Sequence, residues 1–209
     1  MPAERGRFIV FEGIDGAGKT TQIGLLADYL KSRGRTVFRT AEPTDLPTGK
    51  LLREALSGRT ARTACELAAL FTADRVSHNA EPGNGIAAHL AAGEDVICDR
   101  YYYSTLAYQG SETDGGWVRA LNLDCPEIRR PDLCIFLDLS PEESMARITR
   151  GRTSLEIFET TDRLARVREQ FRRVFASLPG ENVQIVNAAG SIEQIQSRIR
   201  EIVDATVAG

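Results

Sequence analysis

Phe8-Ile9-Val10-Phe11-Glu12-Gly13-Ile14-Asp15-Gly16-Ala17-Gly18-Lys19-Thr20-Thr21 opens on an apolar, β-branched and aromatic run and closes on a glycine-spaced turn. The opening reads as a short strand ending at Gly13. Beyond the turn, Ile23, Leu26, Ala27 and Leu30 share one stripe of a helical period, and Gly34 follows as a C-terminal cap. Gly13 to Thr20 matches GxxxxGK[ST] without a gap, between a strand and a helix as the motif requires. The glycines let backbone N–H groups turn inward around phosphate oxygens, and the helix N-terminus adds partial positive charge. Lys19 is placed to reach the β- and γ-phosphates of a nucleoside triphosphate, and the Thr20 hydroxyl to bind Mg²⁺. A chance glycine-rich turn would not come with both flanking elements.

Working outward, residues 36–38, 95–98, 133–139 and 183–186 read as further strands. Residues 51–56, 65–78, 85–92, 141–150, 159–176 and 192–207 read as helices, with one more between the third and fourth strands. Pro141 opens its helix at the first position. The strands are short and read as apolar on both faces, which suits a parallel sheet covered on both sides. The expected fold is α/β: a three-layer P-loop NTPase fold with a five-stranded parallel sheet, in one domain over residues 1–209. Asp114-Gly115-Gly116 reads as a surface loop, with Trp117 anchoring a helix start.

The net charge of −3 supplies no global basic field for a nucleic-acid backbone. The four cysteines, Cys65, Cys98, Cys125 and Cys134, form no CxxC pair and fit no zinc spacing. Cys98 and Cys134 lie in apolar runs as buried thiols, pointing to a reducing, cytoplasmic setting. No apolar run is long enough to span a membrane, and no leader segment is apparent.

A phosphate loop does not name a reaction. A GTPase-type switch would carry Asn-Lys-x-Asp and Asp-x-x-Gly, and neither string occurs. The third strand ends instead in Asp99-Arg100-Tyr101. Open α/β sheets bind ligands at such strand ends. Asp99 can hold Mg²⁺ directly or through water, and Arg100 offers a planar fork for a second phosphate group. The bland alternative is a surface ion pair.

These residues resemble the thymidylate kinase family over nearly the whole chain. Residues 11–21, closing on Thr20 and Thr21, are similar to its P-loop, including Asp15. Glu42-Pro43-Thr44 is similar to its Glu-Pro loop, and Asp99-Arg100-Tyr101, Ser104 and Ala107-Tyr108-Gln109 to its most specific segment. The resemblance implies an ATP- and Mg²⁺-dependent kinase for dTMP, and a homodimer. It implies that Gly13, Ile14, Asp15, Gly16, Ala17, Gly18, Lys19, Thr20 and Thr21 hold ATP, with Arg147 beside the adenine. Asp15 would stand near the acceptor 3′-hydroxyl and the metal, and Arg53 would bind the acceptor phosphate. Phe71 would stack on the thymine and Arg75 would reach its carbonyl edge. Thr105 would face N3, Tyr108 would lie under the sugar, and Arg100 would bridge the phosphates. Glu42, Pro43, Ser104 and Gln109 join the acceptor side through the matched segments. Three positions depart from the pattern. Ala41 stands where the family often has Arg, with Arg39 as a substitute; the 44–49 loop lacks a glycine pair; and Asn187 stands in place of Asp.

From the residues themselves, Phe71 and Arg75 lie four apart and share a helix face, which suits a base reader; a core role for Phe71 is the alternative. Tyr101, Tyr102, Tyr103 and Tyr108 either line a nucleoside pocket or pack a helix start. Arg147, Arg150 and Arg152 cluster at a helix end beside Gly151, a possible hinge. They suit a lid over about residues 147–159 that neutralises a transferring phosphoryl group; a solvated basic helix end is the plain alternative. Lys19, Arg100, Arg150, Arg152 and Asp15 form the expected catalytic set, with Thr20 and Asp99 as metal ligands. His78 and His89 read as structural or surface groups away from the motifs, and 163–173 as a solvated face. The rival readings are another nucleotide or nucleoside kinase on the same fold, or an ATP-binding module without turnover.

Overall fold

β1 (Phe8–Glu12) is buried at every residue, as expected of a strand with a neighbour on each side and helices above and below. The computed structural model describes residues 5–151 and 160–207. Along the chain follow α1 (Lys19–Ser32), β2 (Val37–Ala41), α2 (Pro47–Leu56), α3 (Ala64–Ala80), α4 (Ile86–Ala91) and β3 (Asp95–Asp99). Then come α5 (Tyr102–Glu112), α6 (Gly115–Leu123), β4 (Leu133–Asp138), α7 (Pro141–Gly151), α8 (Thr161–Ala176), β5 (Val183–Asn187) and α9 (Ile192–Val207). The five strands form one sheet in the order β2-β3-β1-β4-β5, with every pair parallel. Phe11 lies opposite Asp99 of β3 and Ile135 of β4, so these strands end together at one edge. α1 packs on α9, while α3, α6 and α8 pack around α5, giving the two helical layers.

Two expectations need correction. Only the three inner strands are apolar on both faces. β2 and β5 are edge strands, which is why Arg39 and Gln184 sit exposed and Ile185 is left 58% accessible. The Asp114-Gly115-Gly116 stretch is not a loop but the start of α6. The Asp114 carboxylate accepts the Trp117 N–H at 2.8 Å as an N-cap, so the aspartate anchors this helix while the indole stays 40% exposed. Two glycines in the first turn hide that start, because their propensity argues against a helix.

α3 begins with a complete capping box between Thr63 and Glu66. Its inner face buries Thr72, Asp74, Arg75, His78 and Asn79 rather than an apolar stripe, a pattern that belongs to a site. α8 is only partly a solvated face: Leu164, Val167 and Phe171 are buried, and Arg168 and Arg172 bond the Asp138 carboxylate at the end of β4. Among the described residues, no helix is long and apolar enough to cross a membrane.

Candidate active site

The turn from β1 to α1 is shaped by close approach and by handedness. Gly16 has φ 78°, and a Cβ there would lie 2.8 Å from the Ser144 carbonyl oxygen, so α7 is packed directly against the loop. Gly18, the N-cap of α1, has φ 92° and provides no side-chain cap, which leaves the first-turn N–H groups to an anion. The Lys19 ammonium folds back and donates to the Gly13 carbonyl at 3.1 Å. Burial, and then the charge of Arg100, lower its pKa; Asp99, Asp15 and Glu12 oppose them.

Across the cleft, Arg100 occupies the left-handed region at φ 67°, uncommon for a residue other than glycine. Its N–H donates to Phe11 O at 2.9 Å, and the turn is held from below by Glu12. The buried Glu12 carboxylate accepts the N–H groups of Tyr101 (2.9 Å) and Ser104 (3.1 Å) and the Ser104 hydroxyl (2.7 Å). Burial pushes the Glu12 carboxyl up, against the pull of Arg100, Ser104, Tyr101 and Lys19. So held, Arg100 donates to Asp15 Oδ1 at 2.6 Å and to Ser104 Oγ at 3.1 Å, with its guanidinium 5.8 Å from the Tyr108 ring centre. Burial works against its charge, but Tyr108, Asp15, Glu12 and Asp99 outweigh it and raise its pKa. Glu12 escaped the sequence reading, although an acid ending an otherwise apolar strand was a visible signal.

The cleft between these walls measures about 740 Å³ and is lined by Asp15, Lys19, Thr20, Asp99, Arg100 and Arg147, among others. Thr21 and Glu42 also reach it, while Ile14 and Ala17 are buried beneath the loop. Arg147 donates to the Ala188 carbonyl at 2.9 Å and approaches Gly18, at the α1 end of the loop. A divalent cation fits this wall. Asp99 Oδ1 is buried with no hydrogen-bond partner among the described residues, and a buried oxygen costs about 1–3 kcal/mol when no donor or cation meets it. Thr20, exposed in the same cleft, offers a second hard oxygen.

Behind Glu42 lies a buried polar network. Glu42 Oε2 accepts from Arg75 Nε (2.9 Å) and Nη2 (2.6 Å), and Oε1 meets His78 Nδ1 at 3.0 Å. Arg75 also bonds Thr105 Oγ1 at 3.2 Å and Asn122 Oδ1, and lies over the Tyr101 ring. The expected base readers Arg75 and Thr105 are therefore brought together. Phe71 is half-buried one turn before Arg75 and is not among the side chains packed on the hydrophobic core. His78 is neither at the surface nor away from the motifs; it joins Glu42 to Thr40 Oγ1 at 2.7 Å. His89 stacks on Phe38 and bonds Glu94, as a structural group would. Neither His78 nor Asn122 could be found by spacing, since their partners lie far along the chain.

Other expected residues are held by contacts of their own. Arg53 bonds the Pro43 and Thr44 carbonyls and Asp45. Gln109 is buried on α5. Tyr101, Tyr102 and Tyr103 pack in the core, the last two with their hydroxyls on Glu181. Arg39 is exposed on β2, outside the residues that line the cleft. Arg150 ends α7 exposed, and Arg152 with residues 153–159 of the expected lid lies outside the described residues.

A parallel sheet in this order, with a phosphate loop after its central strand and an acid–arginine pair after the neighbouring one, defines a P-loop nucleotide-binding enzyme. Comparison narrows the class. A family model described as thymidylate kinase matches residues 11–199. A probable thymidylate kinase of Pyrococcus horikoshii is 40% identical over 98% of this chain and 99% of its own. A thymidylate kinase of Desulfotalea psychrophila is 39% identical over 95% of each. The solved thymidylate kinase of Candida albicans superposes with a TM-score of 0.80 at 25% identity, over 96% of this chain and 92% of its own. The chain belongs to the thymidylate kinase family.

Proposed function

We propose that the protein transfers the γ-phosphoryl group of ATP to dTMP, giving dTDP and ADP. The observation that carries this reading is the opposition of two anion sites across one cleft. The loop of Gly13 to Thr20 with Lys19 stands on one wall, and Arg100, aimed by Glu12 and Ser104, on the other. The family relationship supports dTMP as the acceptor.

In this mechanism the loop N–H groups and Lys19 hold the triphosphate, and Arg147 flanks the adenine. Arg53 and Arg100 hold the acceptor phosphate, with Asp15 beside the sugar. Phe71, Arg75 and Thr105 read the base, and Tyr108 supports the sugar. Thr20 and Asp99 would hold Mg²⁺, which neutralises phosphate charge when bound. The acceptor phosphate is already ionised near neutral pH, so its oxygen attacks in line without a strong base. Arg100, with Arg150 and Arg152, stabilises charge on the transferring group. The family resemblance supports a homodimer through helix packing; the cytoplasm is the proposed setting.

The test is a transfer assay with ATP and Mg²⁺ against dTMP, dUMP, dCMP, AMP and thymidine. Preference for dTMP is expected. Preference for thymidine would overturn the acceptor assignment, and no transfer to any of them would leave an ATP-binding module.

A further inference from the structure

We propose that Asp74 is a positioning residue for the acceptor phosphate, holding the loop after β2 in the shape that aims Arg53. The inference rests on the reading of Arg53 as a ligand of that phosphate.

Asp74 is fully buried on α3 and has no ion-pair partner among the described residues. Its charge is met by three donors from one short stretch of chain. The Thr44 N–H reaches Oδ2 at 2.8 Å, while the hydroxyls of Thr44 (2.6 Å) and Thr48 (2.8 Å) reach Oδ1. Since the Thr44 hydroxyl spends its hydrogen on Asp74, its oxygen is free to accept the Leu46 N–H at 3.1 Å. Thr48 lies in the first turn of α2, so its bond also ties the N-terminus of that helix to α3 and sets the dipole of α2 toward the carboxylate.

The other side of Thr44 faces Arg53. Its carbonyl accepts from Arg53 Nη1, as does the Pro43 carbonyl at 3.1 Å. Gly49 closes the arrangement: a Cβ there would lie 1.9 Å from the Thr44 oxygen, so the loop sits flush on α2. Thr44 is thus gripped through its N–H and hydroxyl by α3, and presents its carbonyl to the guanidinium on α2. The neighbouring Arg75 grips Glu42 two residues earlier, so consecutive buried charges of α3 fix both ends of the turn. A carboxylate only accepts, which sets the direction of every donor around it. An amide would offer its own N–H groups to donors and lose that control. The same contacts explain the threonines of the 44–49 loop where a glycine pair was expected.

The experiment measures dTMP, thymidine and ATP binding by calorimetry, with steady-state kinetics. The proteins are wild type, Asp74→Asn, Thr48→Val, Thr48→Ser and Arg53→Ala, plus Arg53→Ala combined with Asp74→Asn and with Thr48→Val. Asp74→Asn and Thr48→Val should weaken dTMP about tenfold and raise its KM more than they lower kcat. Thymidine and ATP affinities should stay within about twofold, because neither reports on the acceptor phosphate. Thr48→Ser should restore dTMP binding, and the Asp74→Asn effect should vanish in the Arg53→Ala background. If Asp74→Asn does not fold, the Thr48 pair decides. Unchanged dTMP affinity in Arg53→Ala overturns the underlying reading of Arg53. Weakened dTMP in Arg53→Ala, with Thr48→Val and Asp74→Asn unaffected or weakening thymidine equally, leaves that reading standing and overturns the role of Asp74.

Discussion

Arg100 shows how much a single position can carry. Its φ of 67° is a conformation glycine adopts freely and alanine does not, costing a residue with a Cβ about 1 kcal/mol. Arg100→Gly and Arg100→Ala should therefore lose turnover alike, by about 10³-fold if the guanidinium acts as proposed. Chemical denaturation should rank the glycine variant as the more stable by about 1 kcal/mol. Equal midpoints would show that the backbone there is not strained. Lys19→Ala should lower kcat by about 10²–10³-fold without loss of folded protein by circular dichroism, since it removes a buried charge rather than a core contact. Both residues were legible in sequence because each belongs to a contiguous motif whose spacing states its chemistry. His78 and Asn122 were not: Arg75 and Asn122 are 47 residues apart, and no local pattern joins them.

At the scale of elements, α7 and α8 deserve separate tests. Asp138 ends β4 and receives Arg168 at 2.5 and 2.9 Å and Arg172 at 3.1 Å. Burial alone would raise its pKa, but the bonds and charges of the two arginines outweigh it and hold the carboxyl below its ordinary value. A depressed folded-state pKa contributes stability above the unfolded value and loses it as pH falls through the folded one. Asp138→Asn should thus cost about 1–2 kcal/mol at neutral pH, with the gap to wild type closing below about pH 4 in urea titrations. A gap independent of pH would mean the tie is not ionic. For the proposed lid, Arg150→Ala and Arg152→Ala should each lower kcat about tenfold or more while ATP affinity holds. Normal turnover in the double variant would remove the lid arginines from the mechanism. Element types were mostly readable because inner strands and amphipathic helices carry clear periods. The start of α6 was hidden, since Gly115 and Gly116 mask its cap, and β2 and β5 were readable as strands but not as edges, because an edge strand needs only one covered face.

For the whole molecule, Asp99 Oδ1 has no hydrogen-bond partner and the first turn of α1 no side-chain cap among the described residues, so a ligand that meets both should stabilise the fold. ATP with Mg²⁺ at about 100 times Kd should add about 2.7 kcal/mol, read as a raised thermal midpoint. Chelation by EDTA should remove most of that gain in wild type and little of it in Asp99→Asn. A midpoint indifferent to Mg²⁺ in both would argue against the proposed metal ligands. One contact reaches further. The Ser144 hydroxyl donates to the Asp15 carbonyl, and Gly16 presses on the Ser144 backbone, so the nucleotide grip and the first turn of α7 share a joint. Occupancy of the grip should then slow amide deuteration along 144–148, turn by turn, as though the helix were a lever whose fulcrum had been clamped.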